Sequence, residues 1–388
     1  MPLGAVGGAA GTAGAVPRLR GVDMISLARG VPVPECLPVD DLTECARAVF
    51  ERDGRRVLNY GPVAGYQPLR ERLGDRHGVD AARVLVTNGS LQAFALLARL
   101  LLDGTDRRVL VEGPTYDRSL KLLADAGADV TTIRFGEEGL DLDALERELD
   151  AQRPPAFLYT IPTFQNPSGR TQPLPVRRRL VALARERGLL LVEDDPYAFV
   201  RFEGEPLPSL FELAGGEGVV YTSSFSKVVS PGLRVGYVVL PPALAGALQE
   251  LATRTYLAPV FLPQAIVWEY LERGLFEPNL KRIRGLLHVR RDAMLAALAE
   301  ASPPGARWSR PEGGYFVWLE LPDGVDLAAV LARSEQAGVT FVRGTDFYPP
   351  GGGGETSVRL AYSFVSPEEI AQAVHRLGAV LAAEKVSA

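Results

Sequence analysis

Seven short apolar runs recur through the middle of the chain, at residues 84–87, 109–112, 130–133, 156–160, 189–193, 219–222 and 235–240. Stretches with helical spacing separate most of them, for example 91–102, 116–126, 142–149 and 175–187. Several of the runs are continuously apolar rather than alternating, the pattern of strands covered on both faces. Strand and helix in alternation predict an α/β fold, with a mostly parallel seven-stranded sheet between helices.

After Pro242 the pattern changes. Helical stretches dominate as far as Ala301, then 315–321 (YFVWLEL) alternates as a strand. A helix over 327–337, strands at 340–342 and 357–362 and a last helix over 367–383 complete a smaller α+β unit. Ahead of the sheet, 24–37 reads as an extended arm broken by prolines. A helix over 40–53 follows, with Leu42, Cys45, Val49 and Phe50 on one face. The expected organisation is a flexible tail at 1–16, an arm with part of the small domain at 17–50, a large domain at 51–275 and a small domain at 276–388.

Composition narrows the function. A formal net charge of −5 offers no basic surface for nucleic acid. Two cysteines, Cys36 and Cys45, speak against a disulfide framework and fit a reducing, cytoplasmic setting. His77, His288 and His375 lack metal-ligand spacing, so no metal is expected. No apolar run approaches the ~20 residues of a membrane span. The glycine-rich tail lacks a basic start and a leucine-rich centre, so it is not read as a signal peptide, and its glycines follow no strand.

The chemistry is expected at the strand ends. Lys227 is one of four lysines in a chain with 38 arginines. It follows an apolar run and a hydroxyl-rich turn (Thr222, Ser223, Ser224, Ser226), and a second apolar run comes after it. Loops between buried strands are where α/β proteins place ligands. A lysine there can form a Schiff base once burial frees its amine. Ser224 and Arg234 flank it and can bind phosphate; the plain alternative is a solvated loop lysine. Asp194 and Tyr197 close the run at 189–193, where a carboxylate can pair with a pyridine nitrogen; Asp-Asp-Pro is equally ordinary turn chemistry. Asn166, in Asn-Pro-Ser-Gly, reads either as a turn or as an amide aimed at a cofactor oxygen. Ser90 and Leu91 open a helix after Gly89, a place for an anion or for plain capping. Tyr116 starts another helix and can lie over an aromatic ring. Arg359, between Val358 and Leu360, is either half of a structural ion pair or a carboxylate clamp.

Taken in this order, these motifs resemble the fold-type I, pyridoxal 5′-phosphate (PLP)-dependent aminotransferases of class I/II. Within them the chain is most similar to the 2-aminoadipate/kynurenine aminotransferase branch, to which the effector domains of PLP-binding transcription regulators also belong. The matching stretches are 26–38, 59–69, 85–93, 111–116, 165–169, 191–202, 222–237, 311–321 and 358–364, nearly the whole chain from about residue 24. The resemblance implies PLP on Lys227, which also shuttles the proton. It implies Asp194 at the pyridine nitrogen, Tyr197 and Asn166 at the ring oxygen, and Tyr116 stacked on the ring. Ser90, the Leu91 backbone, Ser224 and Arg234 would hold the phosphate. Arg359 would hold the substrate α-carboxylate, with Asn166 and Gly30 beside it. Tyr60 would reach the phosphate of a neighbouring subunit, which implies a homodimer with shared sites.

Two positions depart from the branch. Residue 91 is Leu where Gln is frequent, which leaves only a backbone contact. Arg29 stands where the branch usually has the first of two glycines, in the arm that lines its substrate site. It would block part of the pocket, offer a second cation to an acidic side chain, or turn outward.

The reaction implied is transamination between an L-α-amino acid and a 2-oxo acid such as 2-oxoglutarate. The same residues would also serve a lyase, cyclase, decarboxylase or oxidase, with Tyr256, Tyr315, Phe347 and Tyr348 as unassigned pocket lining. A PLP-binding sensor is a third reading, set against the short tail and the negative charge.

Overall fold

The structure, a computed structural model, describes residues 23–32, 34–104, 107–150 and 153–384. The tail expected at 1–16 lies outside the described residues.

All seven expected strands form: β1 (Val84–Thr87), β2 (Arg108–Gly113), β3 (Asp129–Gly136), β4 (Phe157–Thr160), β5 (Leu191–Asp194), β6 (Val219–Ser224) and β7 (Gly236–Val239). They make one sheet in the order β1-β7-β6-β5-β4-β2-β3, and a two-residue strand, Gly139–Leu140, adds an eighth member beyond β3. Every residue of β1, β2, β4, β5, β6 and β7 is buried, which explains the apolar runs within them. β3, with only a short hairpin strand beyond it, is partly exposed and more polar.

Direction decides where the site falls. β6, β5, β4, β2 and β3 are mutually parallel. β7 is antiparallel to both β6 and β1. The C-terminal ends of β1, β2, β4, β5 and β6 therefore share one edge of the sheet. The residues that lead into β7 reach the same edge from the other direction.

Two of the expected strands differ most. The run at 189–193 becomes β5 at Leu191–Asp194, with Leu191 opposite Val219 and Asp194 opposite Thr222. Leu189 instead closes the preceding helix, its N–H donating to Ala184 O at 2.9 Å. Asp194 is thus the last residue of its strand rather than the first beyond it. The strand expected at 340–342 splits at buried Phe341. Val339–Thr340 pairs in parallel with Ile25–Ser26 of the arm, whereas Val342–Arg343 pairs with the late strand Ser357–Ala361.

The small unit holds a four-stranded antiparallel sheet centred on β8 (Phe316–Glu320) and β9 (Ser357–Ala361). Two long helices, Phe276–Ala301 and Pro367–Glu384, pack together beside it. The arm is stitched to this unit: Leu27 N–H donates to Thr340 O and Leu27 O accepts from Ala361 N–H at 2.7 Å. The helix expected at 40–53 spans Val39–Val57 and leans on the helix Phe261–Glu272 through an Arg52–Glu269 ion pair at 2.6 Å. No helix among the described residues is long and apolar enough to cross a membrane.

Candidate active site

A cavity of about 550 Å³ opens at the shared strand edge, roofed by the arm and the small unit. Of the residues singled out from sequence, Gly30, Ser90, Leu91, Tyr116, Asn166, Asp194, Tyr197, Ser224, Lys227, Arg234 and Arg359 all line it.

One end is built for an anion. The helix Ser90–Leu101 starts there with Gly89 as N-cap, so Ser90 is its first residue and its hydroxyl is not the cap. The first N–H groups of a helix have no acceptor within it and carry the positive end of its dipole. Gly89 has φ 93°, and a Cβ on it would lie 2.3 Å from Arg234 Nη2. Arg234 itself takes a left-handed φ of 52°, rare for a residue with a Cβ. Its Nη2 donates to Asn88 O and its Nη1 to Ser226 Oγ, each at 3.3 Å. Ser224 Oγ accepts from Ser226 N–H at 3.2 Å. Ser226 was part of the hydroxyl-rich turn in the sequence and also lines the cavity.

At the other end stands Asp194. Its Oδ2 accepts from the Tyr159 hydroxyl at 2.7 Å. Its Oδ1 is buried and has no hydrogen-bond partner among the described residues. Burial pushes the carboxyl up to about 7, Asp195 adds to the rise, and the Tyr159 bond and Lys227 oppose it. Tyr159 lies inside β4; within an unbroken apolar run no sequence signal sets it apart.

Lys227 ends the turn Phe225–Lys227 between β6 and β7. Its Nζ donates to Gly30 O of the arm and lies 5.7 Å and 5.2 Å from the ring centroids of Tyr197 and Tyr315. Burial first, and then the charges of Arg359 and Arg234, lower its amine to about 8, with Asp194 working against them. Tyr315 also donates its hydroxyl to Lys227 O at 2.7 Å. Tyr197 is buried, which pushes its phenol well up, and it packs edge-on to Phe316. Tyr116 is half-buried, its phenol pushed up to about 12 by burial first.

Arg359 is 8% exposed. Nη1 donates to Asn166 Oδ1 and Nη2 to Ala28 O, both at 2.9 Å, while Nε is buried and has no partner among the described residues. Its guanidinium lies 4.3 Å from the Phe316 ring centroid and 4.9 Å from that of Phe347. None of these partners is a carboxylate.

Two sequence-selected residues lie outside the cavity. Arg29 is exposed and its guanidinium stands 5.3 Å from the Phe364 ring centroid. Tyr60 is 82% exposed. Of the unassigned aromatics, Phe347 lines the cavity, Tyr315 touches Lys227, Tyr348 lines a neighbouring cleft with Trp318 and Glu320, and Tyr256 lines neither.

The orphan oxygen of Asp194 tests the cofactor. A buried acceptor left unpaired costs about 1–3 kcal/mol, and a protonated ring nitrogen is the donor that would relieve it. With the free N–H groups of a helix start beside Arg234 and a lysine of lowered pKa in the same cavity, the residues fit pyridoxal phosphate. Fold and cavity together define a PLP-dependent class of protein.

Comparison with known proteins gives the family. The Aminotransferase class I and II profile matches residues 22–377, and the chain belongs to that family. A 2-aminoadipate transaminase of Thermus thermophilus is 42% identical over 361 residues, covering 92% of this chain and 90% of the relative. An alpha-aminoadipate aminotransferase of Thermus thermophilus, solved with N-(5′-phosphopyridoxyl)-L-leucine, superposes with TM-score 0.89 at 41% identity over 94% of both chains. A kynurenine aminotransferase of Pyrococcus horikoshii gives TM-score 0.89 at 34% identity, over 94% of this chain and 92% of its own. The chain is an aminotransferase and its cofactor is pyridoxal phosphate. Relatives at 42% and 34% identity are named for transamination, which supports that reaction over the lyase, cyclase, decarboxylase, oxidase and sensor readings.

Proposed function

We propose that the enzyme takes the amino group of L-2-aminoadipate and delivers it to 2-oxoglutarate. The observation that carries the amino-acid reading is Arg359, a buried guanidinium at the cavity wall with an unpaired Nε and no carboxylate partner among the described residues. A bidentate fork of this kind is matched by a substrate carboxylate. The choice of 2-aminoadipate rests on the name of the 42%-identical relative.

In this reading Asp194 pairs with the cofactor's ring nitrogen, Tyr197 and Asn166 with its ring oxygen, and Tyr116 covers its ring. The N–H groups of Ser90 and Leu91, with Ser224 and Arg234, hold the phosphate. The bound cofactor supplies the electron sink for charge released at the substrate Cα. Lys227 takes the α-proton on Nζ and returns it. Arg359 and Asn166 orient the substrate, and Phe316 and Phe347 keep water from the guanidinium. Arg29, turned to Phe364, would serve substrate choice only by swinging inward.

We infer three further features. The enzyme works as a homodimer: Leu58, Tyr60, Leu257 and Val260 are each exposed large side chains that a second copy would cover. It works in the cytoplasm, since a chain with two cysteines, both buried, fits a reducing compartment. A large unit, 51–275, and a small unit, 276–388, divide the labour, with substrate held between them.

The test is a set of single-turnover titrations of holoenzyme with individual amino acids and no acceptor. L-2-aminoadipate is expected to bleach the cofactor's visible band fastest, and 2-oxoglutarate to restore it. A faster response to kynurenine or to an aliphatic amino acid would replace the donor. A band that no amino acid bleaches would remove the reading of the site.

A further inference from the structure

Glu112, one residue before the end of β2, is fully buried. Its donors are all neutral: the Thr160 hydroxyl, Ile161 N–H at 3.1 Å and Gln165 Nε2 at 2.7 Å. Burial pushes its carboxyl up to about 7 despite these three bonds. A carboxyl here is an expensive way to fill space, because buried acids without a counter-ion pay desolvation that an apolar side chain avoids. Its contacts show what it does instead.

Gln165 is equally buried and is held at both ends of its amide. Nε2 bridges Glu112 and Pro114 O, the latter at 2.9 Å, and Oε1 accepts from the Ser168 hydroxyl. Pro114 is two residues before Tyr116, and Gln165 is one before Asn166. One carboxyl thus ties together the two strand-end loops that carry these side chains. Asn166 in turn holds Arg359 at 2.9 Å.

We propose that Glu112 is a positioning residue: through Gln165 it fixes Asn166 relative to Tyr116, and so sets the angle at which Arg359 meets the substrate carboxylate. The proposal rests on the reading of Arg359 as that clamp. It concerns hydrogen bonds and not charge. In Glu112→Gln the amide oxygen can accept from Ile161 and Gln165 while the NH₂ donates to Thr160. Glu112→Leu strands all three donors.

The experiment measures, on holoenzyme, the Kd of the α-methyl analogue of the best amino donor, which binds but has no α-proton to lose. KM and kcat for the donor itself are measured alongside. A hydrogen bond to a charged group is worth a factor of about ten to a hundred in affinity. Glu112→Leu is expected to raise Kd and KM at least about tenfold, and Glu112→Gln to stay within about threefold of wild type. Gln165→Leu cuts the same tie from the loop side and decides the matter if Glu112→Leu does not fold. Unchanged Kd in the Leu variants, with only a lower melting temperature, would make Glu112 a purely structural residue and overturn the proposal. A Glu112→Gln variant as weak as Glu112→Leu would overturn it too. Arg359→Ala is the reference: if its Kd does not move, the clamp reading fails; if it moves while Glu112→Leu does not, only the positioning proposal fails.

Discussion

At Lys227 burial and two arginines act in one direction and Asp194 in the other, and the amine settles at about 8. The neutral amine is the nucleophile, so a lowered value makes it available at a pH where surface lysines are still charged. Reductive methylation of the cofactor-free protein, read residue by residue by mass spectrometry, should reach half its limiting rate at Lys227 near pH 8. A lysine amine at its ordinary value of about 10.4 would still be gaining rate well above that pH. A Lys227 profile that keeps rising to about that value would show that the cavity does not free the amine. Lys227 was legible because a lone lysine between two apolar runs stands out in an arginine-rich chain. The orientation of Arg29 was not, because its outward turn depends on Phe364, more than 300 residues away in sequence. Tyr159 was hidden for another reason. Inside a strand buried on both faces, a tyrosine that bonds Asp194 looks like any other large side chain.

At the scale of elements, apolar runs gave the strands and left their neighbours and exact ends open. Register places Asp194 inside β5 because Leu189 is taken by the cap of the preceding helix. No local pattern announces that residues 339–343 serve two sheets, since each pairing partner lies far along the chain. The junction of β7 with the helix Ser90–Leu101 is a similar non-local feature. A Cβ on Gly236 would lie 2.4 Å from Ser90 N and 2.6 Å from Gly89 C, both backbone atoms that cannot swing aside. Gly236→Ala should therefore push the helix start off the cavity and weaken the phosphate cradle. A rise of at least about tenfold in the Kd for PLP is expected, about 1.4 kcal/mol or more. Fluorescence titration of cofactor-free protein measures it. Wild-type affinity in Gly236→Ala would mean that the phosphate is held without the helix start.

Across the whole molecule the buried titratable groups pull stability in opposite directions with pH. Glu193, Asp194 and Glu112 have carboxyls raised to about 8, 7 and 7, so the stability they contribute is fully present at acid pH and lost as pH rises through those values. His77 does the reverse. It ends the helix Gln67–His77 among the rings of Phe211, Tyr221 and Tyr237, with Nε2 3.1 Å from the Tyr237 hydroxyl. Burial first, and the Arg76 charge second, depress its imidazole from 6.5 to about 4. Between those two values the unfolded chain binds a proton that the folded chain refuses, so this contribution is present above pH 6.5 and is lost as pH falls to about 4. At about 1.4 kcal/mol per pK unit the loss from His77 reaches about 3 kcal/mol. The wild-type curve sums both classes of group, so the histidine is isolated by difference. His77→Gln removes the titration and keeps a polar tip for Tyr237. Its destabilisation relative to wild type, from urea midpoints at a series of pH values, should be largest at pH 7 and shrink by about 3 kcal/mol by pH 4. A difference that stays constant across that range would mean that His77 takes its proton in the fold as readily as in the open chain, and that the aromatic box around it admits water.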